Sequence, residues 1–319
     1  MNYFTKDKKY NTLTEYYKAK FNHKVAKINL NGSFTCPNRD GKKGYGGCTF
    51  CSSLGSGDFA GDKDKSILEQ FIDIKTIMEK KWPDIYYIPY FQANSSTYKP
   101  LDELKELYSE AIKAAGDKCV GLDIATRADA ITDECIKYLG ELNKTIPVTV
   151  ELGLQTSNEK TGILINRCIT NQEVIDCVKK LRCENIEVVI HIINGLPGET
   201  KKDYLNTIDF VNSLDIQGIK LHSLLILKNT KMEEEYKNGL ISPLSLSQYV
   251  DIVVDEICHL RDDIIIHRLS ADGKIDDLIE PKWTIKKLVV MNEIDKKLRR
   301  ENLFQGIYYK KKRLWSPTF

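Results

Sequence analysis

The chain of 319 residues has no long apolar stretch, and its longest apolar run, over residues 188–193, is interrupted by His191. A helix that crosses a bilayer needs about 18 or more apolar residues in a row, so we expect neither a membrane span nor a membrane partner. The N-terminus, MNYFTKDKKY, also lacks the apolar segment of a secretory signal peptide. We therefore expect a cytoplasmic protein whose thiols stay reduced.

The chain has little net charge, +2, and no low-complexity segment. With 42% hydrophobic and 29% charged residues, its composition is that of a globular protein. The charge is uneven: residues 1–27 carry seven lysines and two acidic residues, and residues 296–313 carry eight basic residues and one acidic residue. Basic ends on an acidic middle are typical of a surface that binds a polyanion, although solvated terminal charge explains them equally well.

No fourth cysteine accompanies Cys36, Cys48 and Cys51, which form a C-x11-C-x2-C array in a segment rich in glycine and lysine. The last two are close enough in sequence for both sulfurs to reach one metal centre. Structural zinc usually has four protein ligands, whereas three thiolates on a 4Fe–4S cluster leave one iron open to a cofactor. The other cysteines show no second array, so we expect one cluster and no disulfide framework. They are Cys119, Cys135, Cys168, Cys177, Cys183 and Cys258.

Segments rich in β-branched and aromatic residues alternate with amphipathic segments of helical spacing. The predicted strands are 25–30, 85–91, 119–125, 147–153, 186–193 and 218–226. The predicted helices are 66–82, 101–115, 132–142, 171–181, 201–214, 244–260 and 284–300. Six strands that alternate with helices indicate parallel βαβ units, in either a doubly wound sheet or an incomplete barrel.

Polar or glycine-rich residues follow each predicted strand. In parallel α/β folds the functional groups gather at the carboxyl ends of the strands. The groups after strands one to six are the three cysteines; Gln92, Asn94, Ser95 and Ser96; Thr126, Arg127 and Asp129; Glu151, Gln155 and Thr156; the run NGLPGE (194–199); and His222 with Ser223. Six such groups in register predict a single site at that edge of the sheet.

The cysteine array, with the aromatic Phe50 just before Cys51, resembles the cluster loop of the radical S-adenosylmethionine (SAM) superfamily. Its spacing is wider than the commonest C-x3-C-x2-C and is similar to that of the elongator catalytic subunit and a related family of bacterial proteins. The resemblance implies an α/β fold with a partial (β/α)6 barrel over residues 25–240. A basic segment, 1–24, would precede it, and a small helical extension with a basic and aromatic tail, 241–319, would follow it.

The same resemblance implies one 4Fe–4S cluster on Cys36, Cys48 and Cys51, with SAM bound beside it. The segments FQANSSTY, IATRADAI, ELGLQT with INR, and NGLPGET resemble the SAM-binding motifs of that superfamily, although the usual Gly-Gly-Glu is absent from the first. They imply SAM contacts at Phe50, Gln92, Asn94, Thr126, Arg127, Glu151, Gln155, Arg167, Asn194, Gly195 and Leu196. Arg167 would pair with the SAM carboxylate, a task suited to a planar guanidinium.

Radical SAM enzymes cleave SAM reductively to a 5′-deoxyadenosyl radical, so the resemblance implies this reaction and an electron donor such as flavodoxin or ferredoxin. The cysteine spacing and the basic ends, with Tyr308, Tyr309 and Trp315, predict a tRNA substrate, and the wobble uridine in particular. Two alternatives stay open. One is a small-molecule oxidase or decarboxylase of the coproporphyrinogen type. The other is a zinc-stabilised RNA-binding module with His23 as fourth ligand.

Several of these residues also have a purely structural interpretation. Arg127 and Arg167 could form ion pairs that close the barrel mouth. Glu151 could face the core and be hydrogen-bonded there, and His191 and His222 lie in apolar strands where core histidines are common. The contacts of each side chain decide between these interpretations.

Overall fold

A parallel sheet of seven strands, curled into a half-barrel, forms the centre of the fold, with strand order β1-β2-β3-β4-β5-β6-β8. The computed structural model describes residues 3–55, 57 and 59–310. The strands of this sheet are β1 (Val25–Leu30), β2 (Tyr86–Phe91), β3 (Leu122–Thr126), β4 (Val148–Gln155), β5 (Glu187–Asn194), β6 (Gly218–Ser223) and β8 (Ile265–Arg268). Two short strands, β7 (Ile226–Leu227) and β9 (Leu278–Glu280), pair antiparallel beside it.

Helices connect the strands and cover the outside of the half-barrel. They are α1 (Leu13–Phe21), α2 (Ile67–Lys81), α3 (Leu101–Ala115), α4 (Asp133–Asn143), α5 (Glu159–Leu164), α6 (Asn171–Cys183), α7 (Lys201–Ser213), α8 (Lys231–Lys237), α9 (Leu246–His259) and α10 (Lys287–Arg300). The predicted capping box of α2 is present, because the Ser66 hydroxyl accepts from the Glu69 amide and the Glu69 carboxylate accepts from the Ser66 amide. None of the helices in the described ranges is long and apolar enough to cross a bilayer.

The structure confirms the α/β class and the partial barrel, and it adds a strand that the sequence did not predict. β8 has only four residues, Ile265–Arg268, too few for a periodicity to be recognised. It pairs with β6, so part of segment 241–319 belongs to the sheet. The boundaries at residues 24 and 240 stay predictions. The short helices α5 and α8 were also not predicted.

The two faces of the sheet differ in chemistry. In β1, Ala26, Ile28 and Leu30 are buried in the main apolar core, against helices such as α2. Burial of one such side chain contributes about 1.5–3 kcal/mol to folding, so this face holds the helices in place. The alternate residue Lys27 points the other way and reaches carboxylates on β3 and β4. The inside of the half-barrel is therefore polar.

Helix α1, which the sequence analysis treated only as a basic segment, packs against both β1 and β8, the two outer strands of the sheet. Tyr16 and Lys20 on this helix bond to Glu187 at the start of β5, at 2.9 and 2.7 Å. Just before the helix, Thr12 forms a parallel bridge with Ile266 of β8. The helix thus covers the amino end of the half-barrel, and the carboxyl ends of the strands face the other way.

The described parts of the two basic ends, up to residue 310, contact each other. The Arg299 guanidinium donates to the Asp7 backbone carbonyl at 3.1 Å, and the backbone N–H of Gln305 donates to the Lys9 backbone carbonyl at 2.9 Å. Lys8 forms an ion pair with Asp295 of α10. Lysines that are far apart in sequence therefore contribute to one continuous surface.

Candidate functional site

A cavity of about 240 Å³ lies at the carboxyl ends of the strands and extends into the half-barrel. Most residues of the predicted site line it together. They are Cys36, Cys48, Phe50, Cys51, Gln92, Asn94, Thr126, Arg127, Glu151, Gln155 and Arg167. The groups that follow strands one to four therefore converge at one cavity, and their contacts with SAM stay predictions.

The long spacing between Cys36 and Cys48 is taken up by a loop that folds back on itself. Asn38 holds it in place, because its side-chain amide donates to the Asn166 backbone carbonyl at 2.6 Å and its own backbone carbonyl accepts from the Gly47 N–H at 2.7 Å. Gly47 has φ +79°, a conformation in which glycine is favoured. The loop therefore returns Cys48 to the cavity wall that Cys36 also lines.

The cysteine loop presents a donor set that fits an iron–sulfur cluster. All three thiols line one cavity, and the pair separated by two residues is in direct contact. The hydrogen bond between them raises the pKa of Cys48 well above its ordinary value and lowers the pKa of Cys51. Thiolates are the usual ligands of such clusters, so these residues could hold one. Within the described ranges, no three His, Cys, Asp or Glu side chains converge on a position for a single metal ion.

His23, the fourth ligand of the zinc alternative, lies away from the cysteines. Its ring stacks on Tyr86 with centroids 4.1 Å apart. Tyr86 begins β2, at the amino end of the sheet, whereas the cysteine loop follows the carboxyl end of β1. The structure therefore does not bring His23 and the three thiols together.

Arg127 and Arg167 both line the cavity and are both held by the protein. The Arg127 guanidinium donates to the Asp129 carboxylate at 2.9 and 2.8 Å and to the Arg167 carbonyl at 2.8 Å. The Arg167 side chain is only 1% exposed, and each of its five N–H donors has an acceptor. Those acceptors are the carbonyls of Leu154, Thr156 and Ile169 and the side chains of Glu159 and Asn171. A bond from Arg167 to a SAM carboxylate would replace one of these, so the structure favours its structural interpretation.

We expect Arg167→Lys to lower the free energy of unfolding by about 2–4 kcal/mol. A lysine cannot serve five acceptors, and each buried acceptor that loses its donor costs about 1–3 kcal/mol. Urea denaturation of the two proteins measures the difference. Arg300→Lys, at a side chain that is 73% exposed, is the control and should change stability by less than about 0.5 kcal/mol. An equally small effect at position 167 would contradict the structural interpretation of Arg167.

Asn194, Gly195 and Leu196 lie beside the cavity and do not line it. The Asn194 amide donates to the Glu256 carboxyl at 2.7 Å, and Leu196 is buried in a small apolar cluster with Ile165 and Met232. Burial raises the pKa of Glu256 to about 8, so this carboxyl is protonated at neutral pH. The structure does not bring these three residues together with the others, and their SAM contacts stay predictions.

A network of charged residues inside the half-barrel forms the floor of the cavity. Glu151 is fully buried at its centre, and its carboxylate accepts from Lys27 at 2.9 Å, Tyr90 at 2.5 Å and His191 at 2.9 Å. Lys220 also bonds to it. The structure thus places Glu151 in the core and hydrogen-bonded, as its structural interpretation expects.

The charges in this network are set by burial and by one another. Burial raises the pKa of Glu151, but Lys220 and Lys27 outweigh this and hold it well below its ordinary value. Burial and the neighbouring cations lower the pKa of Lys220 to about 7, against the attraction of Glu151. Burial and Lys220 also lower the pKa of His191 to about 4, so this imidazole is neutral at pH 7.

Four residues at this floor or in its network were not predicted from the sequence: Lys27, Tyr90, Lys220 and Arg268. A signal was present, because Lys27 and Lys220 are isolated lysines inside strands predicted to be buried on both faces. A buried ammonium needs a partner, so two such lysines indicate buried carboxylates nearby.

Comparison with known proteins identifies the class to which this fold and cysteine site belong. The profile of the Radical SAM superfamily matches residues 34–211, and that of the Radical_SAM C-terminal domain matches residues 216–300. The chain therefore belongs to the radical SAM superfamily and is an enzyme of that class. Membership implies a 4Fe–4S cluster and SAM, which agrees with three thiols at the mouth of the half-barrel.

Particular relatives refine this assignment. The chain is 43% identical to YtqA of Bacillus subtilis over 97% of its own length and 95% of that protein. It is 23% identical to a tRNA uridine(34) acetyltransferase of Methanocaldococcus infernus, over 50% of this chain and 29% of that one. The solved structure of M. infernus Elp3 lacking its first 46 residues superposes with a TM-score of 0.67 at 16% identity, over 92% of this chain and 69% of that chain. The last comparison shows a shared fold.

Proposed function

We propose that this radical SAM enzyme modifies a base of tRNA, and that the base is the wobble uridine. The observation that carries the proposal is the similarity, over half of this chain, to a protein named for its action on tRNA uridine 34. The Elp3 half-barrel, which has the same fold over 92% of this chain, supports it. The wide cysteine spacing points to the same branch of the superfamily.

In this proposal Cys36, Cys48 and Cys51 hold the cluster, which when reduced supplies the electron that splits SAM. The cavity orients SAM through groups such as Gln92, Asn94, Thr126 and Gln155, and the walls of the half-barrel exclude water from the radical. An external reductant of the flavodoxin or ferredoxin type supplies the electron. The proposed reaction does not include the acetyl transfer for which the M. infernus relative is named.

The basic ends would hold the tRNA. The segments around Lys9 and Arg299 contact each other, and Tyr308, which is 48% exposed, lies close by in sequence with its ring against His259 at the end of α9. RNA-binding proteins combine phosphate contacts with aromatic stacking in this way. Of the other two aromatic residues of the prediction, Tyr309 is partly buried and Trp315 lies outside the described residues.

The test is anaerobic reconstitution of the full chain with SAM and dithionite, with and without bulk tRNA from a strain that lacks the gene. We expect tRNA to stimulate 5′-deoxyadenosine formation and to acquire an altered nucleoside after digestion. If about six phosphates are contacted, tRNA affinity should fall roughly 10³-fold between about 50 and 200 mM salt. Bulk tRNA digested to nucleosides beforehand is the control. Stimulation by a porphyrin and not by tRNA, or unchanged nucleosides, would contradict the proposal.

A further inference from the structure

The floor of the cavity contains a row of paired residues from four neighbouring strands, three of which carry a cationic or imidazole side chain. Gly153 of β4 pairs with His191 of β5, His191 pairs with Lys220 of β6, and Lys220 pairs with Arg268 of β8. All four line the cavity, and His222 lies two residues further along β6. One side of the floor, from β6 to β8, therefore carries the amino group of Lys220, which is partly protonated at neutral pH, together with a guanidinium and an imidazole.

The acidic groups near this side of the floor are already engaged by other residues. Glu151 accepts from four side chains, of which only Lys220 belongs to this side. Asp272, which also lines the cavity, is bonded by Lys287 at 2.8 Å and forms a looser ion pair with Arg268, whose guanidinium lies 3.8 Å from its carboxylate. Arg268 forms no other ion pair among the residues that the structure describes.

His222 also has unused bonding capacity. Its Nε2 atom is buried and has no hydrogen-bond partner in the described part of the chain. Its ring lies 5.3 Å from that of His191, centroid to centroid, and burial keeps its pKa well below the ordinary value. A neutral imidazole of this kind offers one N–H donor.

We propose that Arg268, Lys220 and His222 form a subsite that binds an anionic group of the substrate, a carboxylate or a phosphate. The guanidinium supplies a planar pair of donors that matches either oxyanion, the ammonium supplies charge, and the imidazole supplies a third donor. The low dielectric of a buried floor strengthens each of these interactions. The inference rests on the proposed function only in taking this cavity as the place where SAM meets the substrate.

The position of the subsite has a consequence for the reaction. The cysteine loop follows the carboxyl end of β1, whereas Lys220 lies in the middle of β6. An anion on this floor would hold the adjoining part of the substrate between the floor and the cluster. The subsite would thus select which carbon of the substrate faces the radical.

The test uses the full chain, reconstituted and kept oxidised, with its histidines labelled with ¹³C at Cε1. The chain has five histidines, and the His222 signal is assigned by comparison with His222→Gln. Sodium acetate and inorganic phosphate are titrated separately at constant ionic strength. We expect a saturable shift of the His222 signal, with a Kd of roughly 1–10 mM for the preferred anion.

Arg268→Gln should weaken this binding at least about tenfold, because it removes a charged pair of donors and keeps the volume. Lys296→Gln, at a side chain 64% exposed that pairs with Glu293, is the matched control and should leave the Kd unchanged. If Arg268→Gln does not fold, Arg268→Lys is used instead. It keeps the charge but lacks the planar pair of donors, so it should weaken binding by a smaller factor. No saturable His222 shift, or an equal Kd in the position 268 variants and the control, would overturn the subsite.

The two anions distinguish the two sources of the group. Tighter binding of acetate identifies a carboxylate on the substrate, and tighter binding of phosphate identifies a nucleotide phosphate. These titrations contain neither SAM nor tRNA, so a negative result leaves the proposed tRNA function intact. Conversely, tRNA that fails to stimulate SAM cleavage, together with a saturable His222 shift, would remove the tRNA function and keep the subsite.

Discussion

Replacement of Cys36, Cys48 or Cys51 by alanine, one at a time, is expected to abolish both iron retention and SAM cleavage. Each thiol lines the same cavity, and a cluster with two protein ligands is not held. Even residues that only support metal ligands are worth about 10- to 100-fold in metal affinity, so loss of a direct ligand should exceed about 100-fold. Iron analysis and 5′-deoxyadenosine formation after anaerobic reconstitution measure the two effects.

Cys183→Ala is the matched control for these variants. Cys183 is an exposed cysteine at the end of α6, away from the cavity lining. It should retain full iron content and full SAM cleavage, which separates loss of a ligand from general damage by a missing thiol. A cavity-cysteine variant that keeps both iron and SAM cleavage would remove that residue from the cluster site.

Replacement of Glu151 by alanine should have the largest effect on stability, lowering the free energy of unfolding by about 3–5 kcal/mol. The substitution removes the carboxylate that Lys27 and Lys220 share, so Lys220 loses its carboxylate partner and Lys27 keeps only Asp123. Glu151→Gln keeps the volume and some hydrogen bonds, so its effect should be smaller. Urea denaturation at pH 7 measures both variants. Glu141→Gln, at a side chain 70% exposed, is the control.

The difference between the native protein and Glu151→Gln should also depend on pH. The pKa of Glu151 in the folded protein lies well below its ordinary value of 4.5, so its ionisation stabilises the fold above about pH 4.5. This contribution is lost as the pH falls through the folded pKa, when the carboxyl becomes protonated. The stability difference should therefore shrink on acidification. A difference that stays constant from neutral to acidic pH would contradict an ionised Glu151.

Much of the fold follows from local signals in the sequence. The capping pattern from Ser66 to Glu69 gives the start of α2, Gly116 gives the end of α3, and six strands appear at the predicted places. These signals depend on neighbours in sequence, which is why a single sequence contains them. The convergence of the three cysteines with Arg127 and Gln155 also follows, since parallel strands end at one edge of the sheet.

The rest depends on contacts between distant parts of the chain. β8 is a strand because β6 offers it a pairing edge, and four residues carry no periodicity of their own. The hydrogen bonds of Arg167 to backbone carbonyls could not be predicted, because they depend on how the turn after β4 folds back. Likewise, the partners of Lys27 become visible only when β1, β3 and β4 are placed side by side.

The bridge between Thr12 and Ile266 makes the order of synthesis matter. Thr12 and α1 leave the ribosome some 250 residues before Ile266 of β8, and synthesis proceeds at about 5–20 residues per second. The helix therefore cannot pack against β8 until that later strand has been made. Until then Arg268 has no place in the floor, whereas the strands that carry Lys27 and Glu151 have already been made. The nascent chain can thus complete its cysteine loop well before it completes the floor of the cavity.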